Sequence, residues 1–122
     1  MAERLFFKFK VSEQMRKKKC RHDVRLAVAK KMSEWRNVVP YLLPENEEVE
    51  NEISQDIRYG EKEKRNRLLE RWIEICGLDA THEKLICAFV AAERIDLAEI
   101  VCEKIGEFVD CMYRIAPNFR GA

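Results

Sequence analysis

Between Glu61 and Ile115 apolar residues return every three or four positions, and little glycine or proline interrupts them. Leu68, Leu69, Trp72, Ile73 and Cys76 form one stripe; Leu97, Val101, Ile105, Phe108, Met112 and Ile115 form another. A period near 3.6 residues puts each set on one face of a helix. The whole chain of 122 residues has 4 Gly and 3 Pro, too few for the many tight turns of a sandwich or barrel. The pattern therefore predicts an all-α fold. The length suits one domain, with 47% hydrophobic residues to fill a core and 37% charged residues to cover it.

Six helices are expected. The first runs from Asp23 to Met32, with Asp23 as its cap and Val24, Ala27 and Val28 on one face. The second starts near Ser33 with Trp35, Val38, Val39 and Leu42 on a shared face. Pro40 removes a backbone donor there, so this helix is expected to be short, kinked or partly 3₁₀. The third begins at Pro44, carries the stripe Val49, Ile53 and Ile57, and stops at Tyr59-Gly60. The fourth spans Glu61 to Cys76, with Gly77 in the place of a helix-terminating glycine. The fifth runs from Thr81 to about Ala92. The sixth opens at Asp96-Leu97-Ala98-Glu99, a capping-box pattern, and its stripe continues past Gly106 toward Ile115 before Pro117. Residues 1–22 match none of this. Leu5, Phe7, Phe9 and Val11 alternate in a strand-like pattern, and residues 16–21 are strongly basic, so a basic N-terminal extension is expected. Residues 109–122 read as a continuation of the last helix and a tail.

The chemistry-bearing motifs are sparse. No nucleophile-elbow, catalytic-cysteine or phosphate-loop pattern occurs, which predicts no enzymatic activity, no catalytic residues and no cofactor. Five cysteines, at 20, 76, 87, 102 and 111, contain no C-x-x-C pair. Their odd number and scatter argue against a disulfide scaffold and predict free thiols in a reducing compartment. Cys76, Cys87 and Cys102 fall on apolar helical faces and are expected to be buried. Cys20 and His22 could begin a metal site, but no partner pair follows at metal spacing, so no metal is expected. His82 is expected to face solvent. The N-terminus lacks a signal-peptide apolar core and no run is long enough to span a membrane; a cytoplasmic location is expected by exclusion.

Charge is balanced in total, 23 Lys and Arg against 22 Asp and Glu, which disfavours nucleic-acid binding through bulk charge. Its layout is uneven. Arg16 to Lys31 holds eight basic residues and one acidic residue, Asp23; Glu45 to Asp56 holds six acidic residues and no basic one. Arg58 to Arg71 holds six basic residues and three acidic ones. An acidic third helix (Glu45, Glu47, Glu48, Glu50, Glu52) is thus set against basic first and fourth helices (Arg25, Lys30, Lys31, Lys62, Lys64, Arg65, Arg71). Complementary faces on one molecule favour head-to-tail protein association. Two readings stand beside this one. Residues 16–31 could bind nucleic acid, although the third helix, the best recognition-helix candidate, is acidic. A small cysteine enzyme would need a positioned base that no motif supplies.

One stretch carries more. Leu68, Leu69 and Trp72, then Gly77, then Asp79-Ala80-Thr81, Leu85-Ile86 and Arg94 with Asp96-Leu97-Ala98, resembles the death domain family. The family pattern is an apolar pair before a Trp, a Gly-containing turn, a "(D/N)-A-T" start to helix five and an "R-x-D-L-A" opening of helix six. Trp35, Val38, Val39 and Leu42 look like the "W-x-x-L-A-x-x-L" of its helix two, and Val49 and Ile53 like the apolar pair of its helix three. The resemblance covers roughly Asp23 to Glu107, about two thirds of the chain. Pro40 and Pro44 depart from it. It implies a six-helix antiparallel bundle over residues 23–108 without enzymatic activity. It also implies an adaptor module that binds other death domains, receptor or adaptor, through charged surfaces and self-associates in apoptotic or innate immune signalling. Spacing and size look closest to a Fas-associated adaptor; ankyrin-type and netrin-receptor-type members share the motif.

Overall fold

The computed structural model describes residues 2–106. Eight α-helices and two 3₁₀ turns make up the described residues, and none belongs to a strand; the fold is all-α. In chain order the helices are α1 (Ala2–Lys8), α2 (Glu13–Arg16), α3 (His22–Ala29), α4 (Val39–Leu42), α5 (Glu48–Ser54), α6 (Glu61–Cys76), α7 (His82–Ala91) and α8 (Ile95–Ile105). Turns of 3₁₀ type cover Trp35–Asn37 and Gly77–Asp79. No helix among them is long and apolar enough to cross a membrane.

The core forms where the predicted stripes meet. α8 packs against α7 and α3, α6 against α3 and α5, and α4 against α7. Trp35, Trp72, Phe89, Met32 and Leu85 lie fully inside. The Trp35 indole N–H donates to Glu61 at 3.0 Å, so the largest apolar ring reaches a polar partner at the core's edge. Pro40 has the effect expected of it: the Trp35 segment is 3₁₀, and α4 begins just before the proline. α6 keeps its predicted bounds, and Gly77 follows it at φ 58°, ψ −123°, a backbone state that glycine adopts without strain. Thr81 caps α7 by accepting from the Lys84 amide at 3.2 Å.

Several expectations change. Residues 2–21 are no loose extension. α1 is a helix, and it lays Leu5 and Phe6 on α7 and α8. The strand-like alternation misled because Leu5 and Phe6, neighbours in sequence, are both buried along with Val11, Phe9 is half-buried, and Phe7 points outward. The segment that follows is bonded to the start of α7. The Cys20 amide donates to the Ala80 carbonyl at 2.8 Å, and the His82 amide donates to Lys18 at 3.1 Å. His82 is therefore buried, not solvent-facing. Asp23 does not cap α3; it lies in the first turn and holds the Arg21 guanidinium. Asp96 likewise sits inside the first turn of α8, behind the N-cap residue Arg94.

α5 is shorter than predicted. It starts at Glu48, ends at Ser54, and leaves Ile57 almost fully exposed on the following turn. Of the cysteines expected to be buried, Cys102 is, Cys76 is half-buried and Cys87 is exposed, while Cys20 is buried. α8 ends at Ile105 and Gly106 turns to extended backbone, so the predicted run through Gly106 is interrupted there. Phe108, Met112, Ile115, Cys111 and the predicted continuation over 109–122 lie outside the described residues.

Candidate interaction surface

The acidic face follows from the packing of α5. Val49 and Ile53, four residues apart, are buried, and α5 lies on α6. The glutamates that precede Val49 then lie on the open side, while Glu52 reaches back to Arg71 of α6. Glu48 and Glu52 are exposed, Glu50 is half-buried, and Glu45 and Glu47 are exposed on the turn that leads into the helix. Glu47, Glu48 and Glu50 lie about the first turn, where negative charge suits the helix dipole.

The predicted basic set divides in two. Lys30, Lys31 and Lys62 are exposed, and among the described residues none has a carboxylate partner within salt-bridge distance. Arg65 joins them by donating to the Lys30 carbonyl at 3.5 Å, which fixes the end of α3 beside the N-terminal half of α6. Arg25 reaches the His22 ring at 3.1 Å. The Nε atoms of Arg25 and Arg65, like that of Arg71, are buried without a hydrogen-bond partner among the described residues. Lys64 and Arg71 are instead tied down. The Lys64 ammonium donates to the Ser54 carbonyl at 2.7 Å. Arg71 meets Glu52 at 3.6 Å and Glu74 at 3.2 Å. These two cations stitch α5 to α6 and are not part of an open face.

The same two contacts fix the polarity of the surface. Ser54, at the end of α5, meets residue 64, and Glu52 meets residue 71, so α5 runs antiparallel to α6. Glu45 and Asn46 accordingly lie beside Ile75 and Cys76. The acidic cluster thus sits at the C-terminal end of α6, and Lys30, Lys31, Lys62 and Arg65 at its N-terminal end. The two clusters lie toward opposite ends of one helix axis, about 24 Å long at 1.5 Å per residue over its 16 residues, with Glu61 and Glu63 also exposed at the basic end. Sequence reasoning had the signs but not this axis.

Arg94 was singled out only as part of the family-like motif, and its contacts give the motif a physical role. Its guanidinium donates to the Ser33 carbonyl at 2.6 Å, to the Lys31 carbonyl at 3.3 Å and to the Asp96 carboxylate at 3.0 Å. It joins the chain leaving α3 to the start of α8. The Arg94 guanidinium holds the Asp96 carboxyl below its ordinary range. Among the described residues no group of three His, Cys, Asp or Glu could hold a metal ion. Searches of protein-family models, curated proteins and solved structures find no match for this chain.

Proposed function

We propose that this chain is a non-enzymatic interaction module of the death-domain type, binding other domains of its kind in a signalling assembly. The observation that carries this reading is the axial separation of charge: the acidic cluster Glu45, Glu47, Glu48 at one end of α6 and the basic cluster Lys30, Lys31, Lys62, Arg65 at the other. One exposed ion pair is worth about 0–1 kcal/mol. Several pairs meeting at once steer encounter and fix register. Lys64 and Arg71 serve the fold in this reading, and the binding set is the smaller one just named.

The test is titration of the full chain against a panel of receptor and adaptor death domains, over a salt series, with duplex DNA in parallel. A triple variant Glu45→Lys, Glu47→Lys, Glu48→Lys, still folded by circular dichroism, should lose binding at least tenfold. Binding by the triple variant equal to wild type sinks the charged-face reading. Tight DNA binding with a steep salt slope would instead favour the nucleic-acid reading of residues 16–31.

A further inference from the structure

The two ends of α6 differ in shape as well as charge. At its N-terminal end stands Ile57, 98% exposed. The turn that bears it is locked. The Asp56 carboxylate accepts from the Arg58 amide at 3.0 Å, from its Nε at 2.9 Å and from its Nη2 at 2.7 Å. The Arg58 guanidinium also lies 5.4 Å from the centre of the Tyr59 ring. These bonds hold the Asp56 carboxyl down to about 2, so the clip stays charged across the physiological range. A rigid turn that holds a branched apolar side chain in water is preorganised for docking, because little ordering entropy remains to be lost.

At the C-terminal end of α6 there is a groove of about 560 Å³ between α4, α6 and the turn after each. Tyr41, Leu42, Pro44 and Cys76 line it over Trp72. Ile75 lines the adjoining cleft, which shares Leu42, Pro44 and Cys76. Tyr41 is 50% exposed, and Ile75 of the adjoining cleft is 37% exposed. Exposed apolar side chains rimming a groove mark a docking site. The groove is bordered by Glu45 and Asp79 with one cation, Lys84. The knob precedes the end of α6 that carries Lys62 and Arg65, with Arg65 bonded to the Lys30 carbonyl; of the two carboxylates on that first turn, Glu61 is engaged by Trp35 and Glu63 is exposed.

We propose that Ile57 of one copy inserts into the α4–α6 groove of a second copy, with the basic end of one α6 meeting the acidic end of the next. This deepens, and rests on, the reading of the chain as a homotypic module. The knob and the groove lie at opposite ends of one helix, so the contact is heterologous. It propagates as an open head-to-tail chain, or closes as a ring if the rotation permits.

Sedimentation velocity of the full chain over a concentration series tests this, with Ile57→Asp and Tyr41→Asp as variants. Both sites are exposed, and circular dichroism confirms folding. Wild type should gain mass with concentration, and each variant should remain monomeric, with association at least tenfold weaker. An equimolar mixture of the two should stop at dimers, because only one intact knob and one intact groove remain per pair. Ile57→Leu should assemble like wild type. A wild type that is monomeric at every concentration, or an Ile57→Asp variant that assembles like wild type, overturns the proposal. The triple Glu→Lys variant separates the two readings. If it dissociates while Ile57→Asp does not, the charged face stands and the knob falls; if Ile57→Asp alone dissociates, the knob stands without the charged face.

Discussion

His82 has both ring nitrogens engaged. The Arg21 amide donates to Nε2 at 3.2 Å, so Nε2 must be the acceptor, and Nδ1 carries the proton that it donates to the Met15 carbonyl at 2.8 Å. The ring is therefore neutral when both bonds are made. Burial pushes its pKa below the ordinary 6.5, and the bond to Met15 only partly opposes this. The unfolded chain takes up the proton first, so the stability this residue contributes is whole above pH 6.5 and is lost progressively below it, down through the lower folded-state pKa. Melting of wild type and His82→Ala from about pH 7.5 to about pH 5 should show the gap between them narrowing, by at most about 1.4 kcal/mol per pH unit. A constant gap means that the ring stays accessible to protons in the folded state. Trp72 makes a simpler case. It is 2% exposed and spans the contact of α6 with the core, so Trp72→Ala should cost about 3–5 kcal/mol by denaturant titration. A melting point within a few degrees of wild type would remove it from the core.

The helix ends decide more than the helix interiors. α8 stops at Gly106 although its apolar stripe runs on, and backbone packing marks the stop: the chain leaving α1 comes against Gly106. A β-carbon added to Gly106 would stand 2.7 Å from the Phe9 carbonyl oxygen and 3.0 Å from that of Cys102. Both are backbone atoms, which cannot swing aside as a side chain would. Gly106→Ala should therefore destabilise by about 1–3 kcal/mol, the usual range for overpacking, and should loosen α1 as well as α8. Hydrogen exchange of the Phe9 and Val11 amides reports on this, since they donate to Leu5 and Phe6 across the end of α1. Faster exchange at both is the expected result, and unchanged exchange would show that the close approach does not hold α1 in place. α5 ends early for a related reason. The Asp56–Arg58 clip closes the turn and aims Ile57 outward, although its spacing from Ile53 suits a buried stripe.

Across the whole molecule the thiols divide by burial. Cys20 and Cys102 are buried, and desolvation pushes both thiols up to about 12. Thiolate, the reactive form, is scarce at such sites. Cys87 is exposed and Cys76 half-buried. Of the four described cysteines, a thiol reagent should modify Cys87 first under native conditions and leave Cys20 and Cys102 protected, and it should count five thiols once the chain is denatured. A denatured count of three or one under non-reducing conditions would mean disulfides. The basic run 16–21 also changes meaning at this scale. Lys17 pairs with Glu13 at 2.8 Å, Arg16 lies over the Phe6 ring at 4.5 Å, and Arg21 donates to the Lys104 carbonyl at 3.1 Å. Half of a segment that reads as a free basic arm is thus spent on the fold.

The sequence by itself determined the all-α class, the bounds of α6, the 3₁₀ start forced by Pro40, the Thr81 cap and the burial of both tryptophans. Each of these rests on short-range signals: a 3.6-residue period, a missing donor, a hydroxyl beside an orphan amide. The exposed Glu45, Glu47 and Glu48 were legible for the same reason, since they precede the buried pair Val49 and Ile53 at the start of an amphipathic helix. Tertiary structure alone decided the rest. It turned residues 2–8 into a helix by offering α7 and α8 as a surface, and it buried His82 by bringing Met15 and Arg21 to it from 67 and 61 residues away. It assigned Lys64 and Arg71 to the fold and left Lys62 and Lys30 open. It also set acid and base at opposite ends of one helix. Those outcomes depend on which groups meet across the chain, and local spacing carries no record of such meetings.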